Sequence, residues 1–330
     1  MRIGIVGAGG MGNTHANKYR QIPDVEIAIS DIDTERAAAF AERHGASDFR
    51  SLSEMILWAD VVDICLPTDL HLGVALESIS AGRAVLVEKP MASTVAECAT
   101  MIEAAERAGT PLMPAQVLRF FPEFAAGKRL VEGGTIGRPA AARTRRGGKA
   151  PAGAGGWFLD PTRSGGILLD LGIHDFDWLR WTLGEVETVY ARSVRIRPDW
   201  APSFQAPAAG DYALTTLGFA SGCVAHVETT WMEPGPSRVT FEVCGSEGMI
   251  EYDSRNAPSV RTATADSVKT EAPLAPDDDP YYLQLRGFLD AVKAGSPPPV
   301  SSLDGLKAVA IARAAIESAE SGRVVRPAQG

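Results

Sequence analysis

The chain opens on an apolar run, Arg2-Ile3-Gly4-Ile5-Val6, which gives way to glycines and then to helical periodicity over Met11–Arg20. The pattern then returns. Val25–Ser30 reads as a second strand, and Thr34–His44 as an Ala- and Glu-rich helix stopped by Gly45. Val61–Leu66 is a third strand, and Leu70–Ala81 a helix closed by Gly82. Ala84–Glu88 is a strand, Thr94–Ala108 a helix closed by Gly109, and Pro111–Ala115 a last short strand. Near-continuous apolar strands alternating with helices predict a parallel sheet covered on both faces.

Past residue 118 the pattern changes. Pro122–Glu132 predicts a helix, and residues 165–183 a longer one ended by Gly184. Period two then dominates Val186–Arg197, Asp211–Phe219, Cys223–Trp231, Arg238–Cys244 and Met249–Tyr252. Short turns such as Ala220-Ser221-Gly222 separate these runs, which predicts a mostly antiparallel sheet. Helices over 281–294 and 303–321 flank Pro297-Pro298-Pro299, and the Asp277–Asp279 run reads as a solvated loop. The expected fold is α/β. A parallel-sheet domain over 1–118 precedes an α+β domain over 119–330.

Length supports that division, since 330 residues suit two domains. Hydrophobic residues at 45% and charged residues at 22% are ordinary for a globular chain. A net charge of −9 argues against a nucleic-acid partner and offers nothing to an anionic membrane. Cys65, Cys98, Cys223 and Cys244 form no C-x-x-C pair, so neither a zinc site nor a disulfide framework is expected. No apolar run reaches the ~18–20 residues that span a bilayer. The first strand begins at once, without the layout of a signal peptide, which predicts a cytoplasmic protein.

Gly7-Ala8-Gly9-Gly10-Met11-Gly12 fits G-x-G-x-x-G between a strand and a helix. Gly7 permits the tight turn, Gly9 lets backbone approach a pyrophosphate, and Gly12 lets helix and strand pack closely. Asp31 ends the second strand, where a carboxylate accepts from ribose hydroxyls and repels a 2′-phosphate. NAD is therefore expected over NADP, with Arg36 the one nearby cation that bears on the choice. Glu88-Lys89-Pro90 lies at a strand's carboxyl end, where a lysine can bind a substrate oxygen or donate a proton. Asp170 and His174 stand one helical turn apart, so the carboxylate can orient the imidazole as a base. His71, after Leu66-Pro67-Thr68, is placed to line a nicotinamide site, and His15 stands near the cofactor or in the core.

With Arg119-Phe120 and Gly287-Phe288 added, these motifs make the chain resemble the Gfo/Idh/MocA oxidoreductases along nearly its whole length. The resemblance implies an N-terminal Rossmann domain, an open C-terminal sheet, and an NAD-dependent dehydrogenase (EC 1.1.1.-) of sugars, cyclitols such as inositol, or related polyols. It implies that Lys89 and His174 bind the reacting hydroxyl and take its proton, that Asp170 orients the group, and that the Lys89–Pro90 bond is cis. The expected cofactor residues are Gly7, Gly9, Gly10, Met11, Gly12, Asp31, Leu66, Pro67, Thr68, His71, Glu88, Lys89 and Gln116. Substrate contacts are expected at Lys89, Arg119, Trp157, Asp170 and His174, with no metal. Arg143–Lys149 and the Ala150–Gly156 stretch form either an exposed loop or a flap whose arginines favour an anionic substrate. Two other activities fit the same residues: a glycosidase that oxidises its substrate transiently with tightly bound NAD, and a non-catalytic dinucleotide-dependent regulator. Outward apolar residues of Val239–Val243 predict a homodimer or homotetramer through the second sheet.

Overall fold

A computed structural model describes residues 1–151, 154–196, 210–233, 235–272 and 279–329. Residues 152 and 153 of the expected loop or flap, residue 197 of an expected strand, and residues 277 and 278 of an expected solvated loop lie outside the described residues. The chain divides into two units. One comprises Met1–Val117 together with Asp279–Leu306; the other takes up most of the chain from Leu118 to residue 278 and the end from Lys307.

In the first unit β1 (Arg2–Val6), α1 (Gly10–Tyr19), β2 (Glu26–Ser30), α2 (Thr34–His44) and β3 (Ser47–Asp48) follow in order. The chain continues through α3 (Leu52–Trp58), β4 (Val61–Ile64), α4 (His71–Ser80), β5 (Ala84–Glu88), α5 (Val95–Ala108) and β6 (Leu112–Ala115). All six strands are parallel, in the order β3-β2-β1-β4-β5-β6. The chain thus winds outward one way from β1 and then returns to wind the other way from β4. That reversal opens a crevice at the carboxyl ends of β1 and β4, where such sheets bind ligands. The central strands β4 and β5 are buried at every position, which accounts for their mostly apolar character. The one exception in β4 is Asp63, fully buried among valines and isoleucine.

Helix ends follow local chemistry. Thr94 and Glu97 close a capping box on α5, and Gly109 ends it in the left-handed conformation. Asp33 caps α2, and Gly45 ends it in the same way.

The second unit holds α6 (Pro122–Glu132), β7 (Pro139–Gly147), α7 (Pro161–Ser164), α8 (Gly166–Asp170), α9 (Gly172–Leu183) and β8 (Val186–Val194). Strands β9 (Tyr212–Phe219), β10 (Val224–Thr230), β11 (Arg238–Gly245), β12 (Gly248–Asp253), β13 (Val260–Thr264) and β14 (Val268–Glu271) complete it. Its eight strands run β14-β13-β12-β11-β7-β10-β9-β8, and every pair is antiparallel except β7 with β10. Phe124 of α6 and Trp178 of α9 cover one face in an edge-to-face pair against Phe241. Helices α10 (Pro280–Ala294) and α11 (Ser302–Ser321) end the chain. The start of α10 lies against α1, through an ion pair of Lys18 with Asp279 at 2.9 Å and contact of the Tyr281 ring with His15.

Three expectations change. The single helix over 165–183 is two, α8 and α9, broken at Leu171; Gly172, a poor helix former, stands at the junction. Arg143–Arg146 is neither loop nor flap but part of strand β7, at the middle of the sheet. The apolar members of Val239–Val243 are not an exposed face: Phe241 and Val243 are buried in the core and Val239 is half-buried. Exposed apolar residues of this sheet are instead Tyr190, Val194, Leu214 and Val224 toward its β8 edge, with Val268 on β14 at the other.

Candidate active site

In the first unit the predicted residues all lie along the carboxyl edge of the parallel sheet. The glycine turn follows β1, Asp31 follows β2, Leu66–His71 follow β4, Glu88 and Lys89 end β5, and Gln116 follows β6. Gly7 has φ +102°, and a Cβ there would sit 2.6 Å from the Cys65 carbonyl oxygen. A Cβ on Gly12 would sit 2.0 Å from the Gly7 carbonyl oxygen. Both positions admit only glycine. At Gly9 and Gly10 a Cβ would meet nothing within 4 Å, so the turn leaves open space beside its backbone. Helix α1 begins there with no side-chain cap on its first N–H groups. Uncapped donors facing open space are what a pyrophosphate requires. The Asn13 amide donates to the carbonyls of Ala8 and Gly9.

Asp31 accepts from the Ala8 N–H at 2.7 Å and from Arg36 Nη2 at 2.7 Å. Burial by itself would raise its pKa, but the Arg36 bond and the backbone N–H groups of Ala8 and Asp33 reverse this. Asp31 is held below the usual carboxylate range and is ionised at neutral pH. Thr68 Oγ1 and Gln116 Nε2 are buried polar atoms with no hydrogen-bond partner among the described residues. Orphaned groups of this kind call for a partner from outside the chain. With the open turn and the ionised Asp31, they fit a dinucleotide.

Behind this edge lies a charged cluster that the sequence did not announce. His15 of α1 is fully buried, and its Nδ1 is hydrogen-bonded to Asp63 Oδ2 at 2.8 Å. Its Nε2 lies 3.3 Å from Glu88 Oε1, without hydrogen-bond alignment, so that contact is electrostatic. Burial opposes charge on the ring, but Asp63 outweighs it and raises the pKa well above the ordinary histidine value. Burial, with Asp63 beside it, pushes the Cys65 thiol far up, so it stays neutral. The other Glu88 oxygen accepts from the Lys89 N–H at 3.1 Å. The visible signal was an aspartate interrupting the apolar run Val61-Val62-Asp63-Ile64.

His71 is also fully buried. Its ring nitrogens lie 2.9 Å from the carbonyl oxygens of Pro90 and Leu66, so its imidazole meets backbone on both sides. The Lys89–Pro90 bond is cis.

In the second unit Asp170 is buried at the end of α8, and His174 sits half-buried in the first turn of α9. Ser164 holds the approach to α8: its hydroxyl accepts from the Gly166 N–H and lies 2.9 Å from the Phe158 carbonyl. The Trp157 ring stacks on Phe158 at 3.9 Å between centroids. Arg119, expected to meet substrate, is buried in a two-pronged pair with Asp177, at 2.8 and 2.6 Å, and lies against the Trp181 ring.

The arginines of β7 are likewise answered by carboxylates. Arg143 pairs with Glu242, Arg145 with Glu228 and Glu233, and Arg146 with the buried Asp175 at 2.7 Å. Pairing of this kind leaves no anion-selecting cluster at Arg143–Arg146.

Residues 1–116 match the model of the oxidoreductase family with an NAD-binding Rossmann fold, and residues 124–251 match a GFO/IDH/MocA C-terminal domain. The chain belongs to the GFO/IDH/MocA oxidoreductases. It is 32% identical to myo-inositol 2-dehydrogenase of Thermotoga maritima, over 99% of this chain and 98% of that one. It is 28% identical to the scyllo-inositol 2-dehydrogenase (NAD(+)) of Bacillus subtilis, over 99% and 96%. Among solved structures, levoglucosan dehydrogenase with NADH and levoglucosan superposes with a TM-score of 0.88 at 25% identity, covering all of both chains. No helix among the described residues is long and apolar enough to cross a membrane.

Membership fixes the class of cofactor, and the glycine turn then predicts two different failures. Gly12→Ala forces a methyl group into backbone and lowers the melting temperature with or without NADH. Gly9→Ala melts like the native protein but binds NADH about tenfold more weakly or worse, since its methyl occupies the phosphate's approach. Fluorescence titration and thermal melts on both variants separate the two.

Proposed function

We propose that this protein oxidises a secondary hydroxyl of a sugar, cyclitol or related polyol with NAD, or reduces the corresponding ketone with NADH. The observation that carries the reading is Lys89, held at the carboxyl end of β5 on the same sheet edge as a turn built for a dinucleotide. The inositol and levoglucosan dehydrogenases named above give the substrate class. NAD, when bound, accepts or returns the hydride. The chain's own part is to handle the hydroxyl. The Lys89 ammonium binds the reacting oxygen and stabilises the charge that grows on it as the proton leaves. The His174 imidazole takes that proton, and the Asp170 carboxylate orients the reacting group. The glycine turn, Asp31, Leu66–Thr68 and Gln116 hold the cofactor, and Trp157 offers a flat apolar face to a ring.

A panel of inositols, aldoses and anhydrosugars, scored by NADH absorbance, tests the reading. Turnover of none of them, with NADH bound, would refute it. The relatives named here do not favour the glycosidase alternative, for which release of nitrophenol from a nitrophenyl glycoside without added NAD is the discriminating sign.

NAD is the preferred dinucleotide. Arg36, the cation that could receive a 2′-phosphate, is already bound to Asp31. The expected kcat/KM ratio is roughly 100-fold in favour of NADH, from the cost of setting a phosphate against an ionised carboxylate. Asp31→Ser removes the carboxylate, frees Arg36 and narrows that ratio; an unchanged ratio would count against the assignment.

The open sheet face with Tyr190, Leu214 and Val224 exposed favours a homodimer or homotetramer formed through it. Light scattering at working concentration checks this, and a monomer would overturn it.

A further inference from the structure

We propose that His71 is a positioning residue for Lys89: by donating from Nδ1 to the Pro90 carbonyl, it fixes the far side of the turn that carries the lysine. The inference rests on the reading of Lys89 given above and deepens it. A lysine on a strand end is a flexible four-carbon arm, and its usefulness depends on how firmly its backbone is held. Here the backbone is held from both sides. On the near side the Glu88 carboxylate folds back to accept the Lys89 N–H at 3.1 Å, and is itself faced by the charged His15. On the far side the carbonyl of Pro90 meets His71 Nδ1 at 2.9 Å. The opposite nitrogen of the same ring meets the carbonyl of Leu66 at 2.9 Å.

One imidazole therefore spans the segment after β4 and the segment after β5. Both segments carry residues assigned to the cofactor or to chemistry, Leu66–Thr68 on one side and Glu88–Lys89 on the other. Both ring nitrogens of His71 are taken up by backbone carbonyls, so its polar atoms act on the reaction through the backbone they grip. Burial lowers its pKa, while the two carbonyls and Glu88 pull the other way. A ring with one proton donates to one carbonyl at a time. The bond to Pro90 is the one that bears on Lys89.

That geometry gives a test by shape. An asparagine amide reaches about as far as Nδ1, and a glutamine amide about as far as Nε2. His71→Asn keeps a donor for Pro90 and loses Leu66; His71→Gln does the reverse; His71→Leu loses both. The readout is the rate at which a small acylating reagent labels Lys89 across a pH series, followed by peptide mass spectrometry on the full-length protein with Lys293 as internal reference. Lys89 is half-buried, so the reagent reaches it. In His71→Gln and His71→Leu the Lys89 rate rises about three- to tenfold relative to Lys293, the factor that loss of one hydrogen bond gives. In His71→Asn it stays near the native rate. Native rates in all three folded variants, or an equal rise in Asn and Gln, would overturn the proposal. His71→Asn and His71→Gln both keep a polar group in the site, so either one can fold where His71→Leu does not. The catalytic reading is tested apart from this, by turnover of Lys89→Ala. Altered labelling with normal turnover of Lys89→Ala keeps the brace and removes the catalytic role; native labelling with lost turnover removes the brace alone.

Discussion

Lys89→Ala and His174→Ala each lose at least about 100-fold in kcat, the usual share of one positioned acid, base or charge stabiliser. Hydride cannot leave a neutral alcohol carbon unless the hydroxyl proton goes with or before it. Without the imidazole the proton has no acceptor but water. Without the ammonium the alkoxide character that accompanies hydride departure has no cation beside it. His174 is outside the expected cofactor set, so NADH binding, followed by fluorescence, stays within about threefold of native in His174→Ala; Lys89 is in that set, and its loss costs NADH binding no more than about tenfold, the worth of one hydrogen bond. Groups that serve one step do not act additively, so the double variant is little worse than either single one. Lys89→Arg keeps the charge but not the compact point geometry, and it recovers little. Steady-state rates on the best substrate of the polyol panel check all four variants. Near-native turnover in either alanine variant would remove that residue from the mechanism.

What the sequence revealed follows from the range of the interactions involved. Five of the six parallel strands were legible because each is a short apolar run with a glycine or a capping residue close by; β3, only Ser47 and Asp48, and helix α3 after it carry no such signal and were missed. The glycine turn was legible because Gly7 and Gly12 are sterically compelled by Cys65 and Gly7 backbone. The break between α8 and α9 was missed because apolar residues stand on both sides of it, at 167–169, 171 and 173; Gly172 was the one local sign. Strand β7 was misread for a different reason. Ala142 and Thr144 point inward while Arg143 and Arg145 do not, so the alternation is present. Arginines at its polar positions resemble a cationic loop until their carboxylate partners on β10 and β11 are known. Those partners are far off in sequence, as Asp63 is 48 residues from His15 and Asp177 is 58 from Arg119. A pairing at that distance leaves no local trace; only the oddity of a charge within an apolar run points to it.

Arg119→Met is expected to destabilise the second unit by about 3–5 kcal/mol, because it strands Asp177 as a lone buried carboxylate. The guanidinium and the carboxylate are both almost fully enclosed, and two parallel N–H bonds at 2.8 and 2.6 Å join them. Removing one partner leaves the desolvation cost of the other with nothing to offset it. The melting temperature should fall on the order of 10 °C. Arg119→Met combined with Asp177→Leu removes both charges and fills the space with apolar volume, and most of the loss should return. That pair of variants also decides what Arg119 does for the reaction. If its task is to anchor the segment after β6 to α9, the double variant regains kcat/KM along with stability. If the guanidinium itself holds substrate, stability returns and kcat/KM does not. The enclosed, two-pronged pairing predicts the first result.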